Sequence, residues 1–314
     1  MRTSAARLVA HGQPIVVEDV DLASPGEGDL VVEMAYGGVN PIDRYHALGR
    51  VAPELPLPRT LGSEGVGKID GRWVVVHGHG VGSRRPGVWS RTAVVPGAAT
   101  VDVPGGVEPL AAAAMGVAGV TAWRTVTDLG RVEAGDRVLV LGASGGVGSM
   151  IVSLVHALGA TVWGQTGNDE KAAWLRAHGA DHVVVADEDA LARALVELAP
   201  TVVFDALGGG FTGAAIEALE PRGRLVLYGT SAGPTGTVPL QQVYRKGLTV
   251  LGYGGLIEPA DAMARGIAGA LRAVADGRLQ VTVDRVLPLA EVNDAFDRLA
   301  GRQVQGKLLL DLQA

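Results

Sequence analysis

Four glycines fall within the seven residues Gly142-Ala143-Ser144-Gly145-Gly146-Val147-Gly148. An apolar run of strand character, 138–141, enters this stretch, and an apolar segment with helical spacing, 150–158, leaves it. A chain that turns this sharply from strand to helix needs glycine where φ is positive and where backbone must come close to a ligand. The start of the helix adds unpaired N–H groups and a positive dipole end, which suit a pyrophosphate. Asp136 lies two residues before the strand and a second strand starts at Thr161, after the helix. That is the order of a mononucleotide-binding half, and it distinguishes the motif from an ordinary strand-to-helix turn.

The rest of the chain divides by texture. Residues 15–19, 29–36 and 72–76 read as short strands, and glycine and proline punctuate the first third, notably at 53–58 and 78–87. This pattern predicts antiparallel, barrel-like packing. Residues 110–129 read as helical. Helix and strand then alternate: helices at 147–158, 169–178, 190–198 and 212–219, strands at 161–165, 181–185, 202–205, 224–228 and 248–251. Such alternation predicts a parallel sheet covered by helices on both faces. A helix at 261–277 follows, and the strand–helix–strand tail of 281–312 is expected to return to the first domain. The reading is therefore of one domain inserted into another, with the active cleft between them.

Composition closes off several functions. With 314 residues, 47% of them hydrophobic and 19% charged, the chain has the make-up of a globular protein with room for two cores. A net charge of −6 argues against nucleic acid as the main partner. The apolar stretch 110–123 is alanine-rich and too short to span a bilayer, and residues 1–17 lack an apolar signal core, so an intracellular, cytoplasmic protein is expected. There is no cysteine, which excludes disulfides, a thiolate zinc site and a cysteine nucleophile.

Seven segments, in order, are GGVNPID (37–43), LGSEGVG (61–67), GVTAW (119–123), AGDRVLVLGASGGVGSM (134–150), HGADHVV (178–184), GRLVLYG (223–229) and QGKLLLDL (305–312). Together they resemble the medium-chain dehydrogenase/reductase superfamily, specifically its zinc-free quinone oxidoreductase-like branch. The resemblance implies an α/β protein: a GroES-like β-rich catalytic domain, 1–118 and 254–314, with a Rossmann doubly wound parallel-sheet domain, 119–253, for the cofactor. Zinc alcohol dehydrogenases of the superfamily carry cysteine where this chain has Asn40 and histidine where it has Ser63, so the resemblance implies a site without zinc. Developing oxyanion charge must then meet hydrogen-bond donors. Asn40 offers an amide and Tyr45 a phenol; Tyr45 or solvent supplies the proton. Tyr45 also reads as a packing residue, and Asn40 as a turn former before Pro41.

The resemblance further implies that Ser144, Gly145, Gly146, Val147 and Gly148 hold the pyrophosphate of a nicotinamide cofactor. Gly229, Thr230 and Ser231 lie near its nicotinamide half, and Thr121 and Lys307 contribute to cofactor binding. The second strand ends in Gln165-Thr166 rather than an acidic residue that would repel a 2′-phosphate. With Thr166 and Lys171 at the phosphate, NADPH is favoured over NADH. Against that grip, a tyrosine of NADPH-using relatives is here Ala186. Asp169 and Glu170 follow a cap at Asn168 and read as dipole complements. Tyr253 and Leu256 line the substrate cleft or pack between domains.

His77 and His79 read as a loop feature, and Arg84 and Arg85 as a solvated turn. The expected activity is an NADPH-dependent, zinc-independent reduction of a quinone or an α,β-unsaturated carbonyl. An enoyl-thioester reductase or a biosynthetic tailoring enzyme shares the fold, and a cofactor-binding structural or regulatory protein without turnover is the reading from another class. The family implies a homodimer formed through the sheet edge near 248–251, with a small molecule as substrate.

Overall fold

The computed structural model describes every residue from Met1 to Ala314, in two compact units. One comprises Met1–Val120, Glu258–Asp276 and Val281–Ala314, the other Thr121–Ile257 and Gly277–Gln280. The expected boundaries thus shift by a few residues, and 277–280 changes sides. Gln280 N donates to Ser153 Oγ at 2.8 Å, and the Arg278 guanidinium lies 5.9 Å from the Trp123 ring centre, which ties this stretch to the second unit.

The first unit begins with β1 (Arg2–Leu8), β2 (Val16–Asp21), β3 (Asp29–Val39) and β4 (Arg59–Thr60). It continues with β5 (Glu64–Ile69), β6 (Arg72–His77), β7 (Thr92–Pro96) and β8 (Thr100–Asp102). β1 pairs antiparallel with β2 and β4, while β3, β5, β6 and β8 run antiparallel in a second sheet, with β7 also on β3. Alternate residues point inward, as in β3, where Val32 and Met34 are fully buried. Trp89, fully buried, sits in this core with Met34 and Leu61, and its ring centre is 5.8 Å from that of Phe296.

In the second unit the strands are β9 (Arg137–Leu141), β10 (Thr161–Thr166), β11 (His182–Val185), β12 (Val202–Asp205), β13 (Arg224–Leu227) and β14 (Thr249–Gly252). They form one parallel sheet in the order β11-β10-β9-β12-β13-β14. Helices Gly146–Ala157, Glu170–Ala177, Glu188–Ala194 and Gly209–Ala218 connect its strands. The nearly continuous valine and leucine of β9 and β12 fits strands buried on both faces. The strand order reverses between β9 and β12, the switch point at which open α/β sheets bind ligands.

After helix Ala260–Ala275 the tail rejoins the first unit through β15 (Val283–Pro288) and β16 (Lys307–Asp311). β16 inserts antiparallel beside β3, with Leu308 opposite Val39. The expected continuous helix at 110–129 is instead four pieces, two of them π-helical turns at Met115–Gly119 and Thr125–Leu129. Gly119 N bonds Ala114 O and Gly130 N bonds Thr125 O, the i to i+5 spacing of a π-bulge. No helix is long and apolar enough to cross a membrane.

Candidate functional site

In the second unit, β9 ends at Gly142, whose φ of +71° turns the chain into the helix. The first capping bond runs from Ser149 N to Gly145 O. The N–H groups of Gly146, Val147 and Gly148 therefore precede the helical ladder. A Cβ on Gly148 would lie 2.4 Å from Gly142 O, so bare backbone lets the helix close on the loop. Gln165, 2% exposed, braces it: its Oε1 accepts from Gly142 N at 3.0 Å and its Nε2 donates to Ala186 O at 2.6 Å. A glutamate here would lack the second donor. The non-acidic end of β10 is thus also a structural choice, one the sequence reading did not see.

The other residues of this unit that were expected at the cofactor or the cleft are placed as follows. Thr166 is buried and its Oγ1 accepts from Asn168 N at 3.3 Å; Lys171 is half-buried in the first turn of helix Glu170–Ala177. Asn168 does cap that turn, accepting from Glu170 N at 2.7 Å. Ser144 is buried, Thr121 likewise, and Thr230 is exposed. Ser231 donates from N and Oγ to Ala206 O at 3.0 and 3.1 Å. Tyr253 is 8% exposed beneath the Arg124 guanidinium, whereas Leu256 is 61% exposed. Sequence reading missed Asp205, fully buried at the end of β12. It accepts from Leu207 N, Gly208 N and Thr212 Oγ1, and burial pushes its carboxyl pKa up against those bonds. A charged residue ending a buried strand was its one signal.

The first unit gathers a second set of polar side chains in a row across β16, β3, β5 and β6. Extending the β16–β3 register sets Lys307 beside Asn40, and Glu64 of β5 stands opposite His77 of β6. Glu64 is fully buried and Lys307 is 3% exposed, with 2.6 Å between Oε1 and Nζ. Asn40 Nδ2 donates to the same oxygen at 2.8 Å, Lys307 Nζ also donates to Asn40 Oδ1, and Val117 N donates to Glu64 Oε2 at 2.7 Å. The π-helical turn supplies that last donor. It also brings Gly116 so close that a Cβ there would lie 2.7 Å from His77 Cβ and 2.8 Å from Glu64 Cβ.

Lys307, expected at the cofactor, has its ammonium buried on Glu64 and Asn40 in the first unit. The Asn40 amide, expected to serve an oxyanion, gives one N–H to Glu64 and its oxygen to Lys307, which leaves its second N–H without a hydrogen bond. The N-terminus of helix Pro41–Ala47 is served by Asp43 instead, which accepts from Asn40 N at 2.9 Å. Asp43 also accepts from Ser63 N and Oγ at 2.9 and 2.7 Å, and burial, opposed by these bonds, pushes its carboxyl up to about 6. His77 Nδ1 lies 2.7 Å from the Ser63 carbonyl oxygen. His77 ends a strand, so the loop expectation fails for it; His79 lies beyond, with a φ of +50°. Tyr45 is half-buried on helix Pro41–Ala47 with no hydrogen bond to its hydroxyl. Arg85 pairs loosely with Asp29 at 3.7 Å, and Arg84 is exposed.

Residues 146–262 match the zinc-binding dehydrogenase family. The chain is similar to a quinone oxidoreductase of Pseudomonas aeruginosa, 30% identical over 322 residues that cover 97% of this chain and 98% of that protein. It is 32% identical over 244 residues to prostaglandin reductase-3 of Mus musculus, covering 74% of this chain; the match spans 64% of the mouse protein's length. Among solved structures, mycobacterial Rv1454c complexed with NADPH aligns with a TM-score of 0.87 at 25% identity, over 98% of this chain and 99% of that one.

The name of the matched family implies zinc, and the donor set of the polar row does not fit that ion. Zinc takes thiolate, imidazole or carboxylate ligands in tetrahedral array. Asn40 and Ser63 offer an amide and a hydroxyl; of the two carboxylates beside Asn40, Glu64 already carries the Lys307 ammonium and Asp43 already accepts from Asn40 N and from Ser63 N and Oγ. No three histidine, cysteine, aspartate or glutamate side chains are grouped as a metal would require.

Proposed function

The chain belongs to the quinone oxidoreductase-like branch of the medium-chain dehydrogenase/reductase superfamily, and we propose that it is a zinc-independent, NADPH-dependent reductase of quinones or α,β-unsaturated carbonyls. The observation that carries this reading is the Gly142–Gly148 turn, with three N–H groups ahead of the helical ladder at the switch point of a parallel sheet. Ser144 through Gly148 would hold the pyrophosphate, and Thr166 and Lys171 the 2′-phosphate. Gly229, Thr230 and Ser231 would stand near the nicotinamide half. Bound NADPH supplies a hydride. Tyr45, with its hydroxyl unengaged, or solvent would supply the proton. Asn40 would hold Lys307 and Glu64 in register and offer its remaining amide N–H to the developing oxyanion.

The test is NADPH oxidation against quinones, alkyl enones and enoyl thioesters, repeated with NADH. Turnover of a quinone or an enone is expected, with NADPH preferred. Turnover of enoyl thioesters alone would move the assignment to that class, and tight NADPH binding without oxidation by any acceptor would make the protein a non-catalytic binder.

Lys171→Ala is expected to weaken NADPH binding by about 10- to 100-fold, the loss of one charge-assisted contact of ~1.5–3 kcal/mol, while NADH affinity moves less than about threefold. Fluorescence titration with both cofactors measures it, and an equal loss for the two would remove Lys171 from the 2′-phosphate.

A homodimer through β14 is part of the same proposal. This strand is an edge of the parallel sheet, with Thr249 and Val250 exposed; Leu240 and Tyr244, on the helix before it, are 74% and 70% exposed. An edge with apolar side chains around it invites pairing with a second copy. Val250→Lys should weaken self-association at least tenfold, ~1.4 kcal/mol, in sedimentation velocity; an unchanged sedimentation coefficient would place the interface elsewhere.

A further inference from the structure

The parallel sheet turns on glycine twice at its switch point. After β9, the N–H groups of Gly146, Val147 and Gly148 stand ahead of the helical ladder. After β12, the chain runs through Leu207-Gly208-Gly209-Gly210 into helix Gly209–Ala218, and each of these four N–H groups is already spent. Leu207 N and Gly208 N donate to Asp205 Oδ1 at 2.8 and 3.1 Å. Gly209 N donates to Gly233 O at 3.1 Å, and Gly210 N donates to Glu188 Oε1. A turn whose donors are filled by the chain's own oxygens offers nothing to a phosphate.

What this turn holds is the segment after β13. Residues 228–239 belong to no helix or strand. Ser231 donates from N and Oγ to Ala206 O, and Ala232 N and Gly233 N donate to Leu207 O at 2.8 and 3.2 Å. The approach is close enough to require bare backbone. A Cβ on Gly229 would lie 2.9 Å from Ala206 O, and one on Gly208 would lie 2.4 Å from Gly233 O and 3.2 Å from Thr230 Cα. The place of Gly229–Gly233 is therefore set by the turn at Ala206–Gly208. Gly208 and Gly209 have φ of +69° and +57°, and glycine by itself prefers no single conformation. The Asp205 carboxylate fixes what the glycines leave free. It is fully buried and anchored from behind by Thr212 Oγ1 at 2.6 Å, so it acts on the turn and not on a ligand.

Building on the reading above, in which Gly229, Thr230 and Ser231 stand near the nicotinamide half, we propose that Asp205 is a positioning residue for that half alone. Through the Ala206–Gly208 turn it fixes the loop against which the nicotinamide rests, and it takes no part in holding the adenosine phosphates. Hydride transfer depends on how the nicotinamide ring is oriented, so its loss lowers kcat as well as affinity.

Three substitutions separate this role from a merely structural one. Asp205→Ala leaves Leu207 N and Gly208 N without an acceptor. Asp205→Asn keeps the acceptor at Oδ1 and can donate its amide N–H to Thr212 Oγ1. Gly208→Ala leaves the carboxylate in place and drives a methyl group into Gly233 O. Calorimetric titration with adenosine 2′,5′-bisphosphate, which has the phosphates and no nicotinamide, should stay within about threefold of the unaltered protein in all three. NADPH affinity, and kcat with a quinone, should each fall about tenfold in Asp205→Ala and Gly208→Ala and recover to within about threefold in Asp205→Asn. Undiminished NADPH affinity in Asp205→Ala, an equal loss for NADPH and the bisphosphate, or no recovery in Asp205→Asn would overturn the assignment. Should Asp205→Ala fail to fold, Gly208→Ala carries the same comparison. If the unaltered protein binds NADPH but turns over no acceptor, the reductase reading fails, and the two titrations still decide the role of Asp205. If it binds no NADPH, both fall together.

Discussion

Replacing Gly38 by alanine is expected to cost about 3–5 kcal/mol of stability, the penalty of breaking a buried ion pair and leaving its charges uncompensated. Gly38 lies on β3 between Glu64 and the strand that bears Lys307. A Cβ there would stand 2.3 Å from Glu64 Oε1 and 2.6 Å from its Cδ. The carboxylate tip of an exposed glutamate would swing aside at little cost. This one is fully buried and tied to Lys307, Asn40 and Val117 N, so moving it sacrifices all three bonds together. The φ of Gly38 is not in the left-handed region, so the loss is steric and electrostatic rather than conformational. Gly105→Ala serves as the control: a Cβ there meets nothing within 4 Å, and a change within about 0.5 kcal/mol is expected. Guanidinium unfolding of both variants measures the difference. A Gly38→Ala protein within about 1 kcal/mol of the original would show that the pair contributes little to the fold.

The second large effect is expected at the nucleotide loop. Gly148→Ala would set a methyl group 2.4 Å from Gly142 O and 2.8 Å from Ala143 Cα, both backbone atoms that no rotamer change can move. Helix Gly146–Ala157 must then lift from the end of β9, which carries its first N–H groups away from the turn they share. Overpacking of this kind costs about 1–3 kcal/mol in stability. Because the loop's donors act as one cradle, NADPH affinity is expected to fall about 100-fold, ~2.7 kcal/mol. Gly145→Ala is the comparison, since its Cβ would lie 3.5 Å from Gly142 O, an ordinary contact, and stability should hold within about 0.5 kcal/mol. Equal NADPH affinity in Gly148→Ala and the unaltered protein, by fluorescence titration, would dissociate the loop from cofactor binding.

Legibility in the sequence followed distance along the chain. The parallel sheet could be read because each strand and the helix after it are contiguous, and their apolar periodicities differ. Of the short antiparallel strands in the first third, β2, β3 and β6 were found with their ends displaced and β1, β4, β5, β7 and β8 were not read; β3 runs on to Val39, three residues past the expected end, through Gly37 and Gly38. Glycines there read as a turn, yet they are strand positions over which neighbouring side chains pass. The split of the 110–129 helix was invisible for a related reason. Within its first π-turn, Met115–Gly119, Val117 N meets Glu64, more than fifty residues earlier in the chain.

Gln165 and Lys307 show the same limit from the side of function. Gln165 was noticed for not being acidic, and Lys307 as a cofactor contact. Gln165 instead ties three neighbouring segments through one amide, and Lys307 closes an ion pair 243 residues from its partner.

The sequence by itself determined the cofactor half of the protein, since strand, glycine turn and helix start lie within a dozen consecutive residues and backbone sterics leave that stretch few other conformations. The polar row was decided by tertiary structure alone. It exists because β16 enters beside β3 in one register, and a slip of a single residue would send the Lys307 side chain to the opposite face, leaving Glu64 buried without its counter-charge.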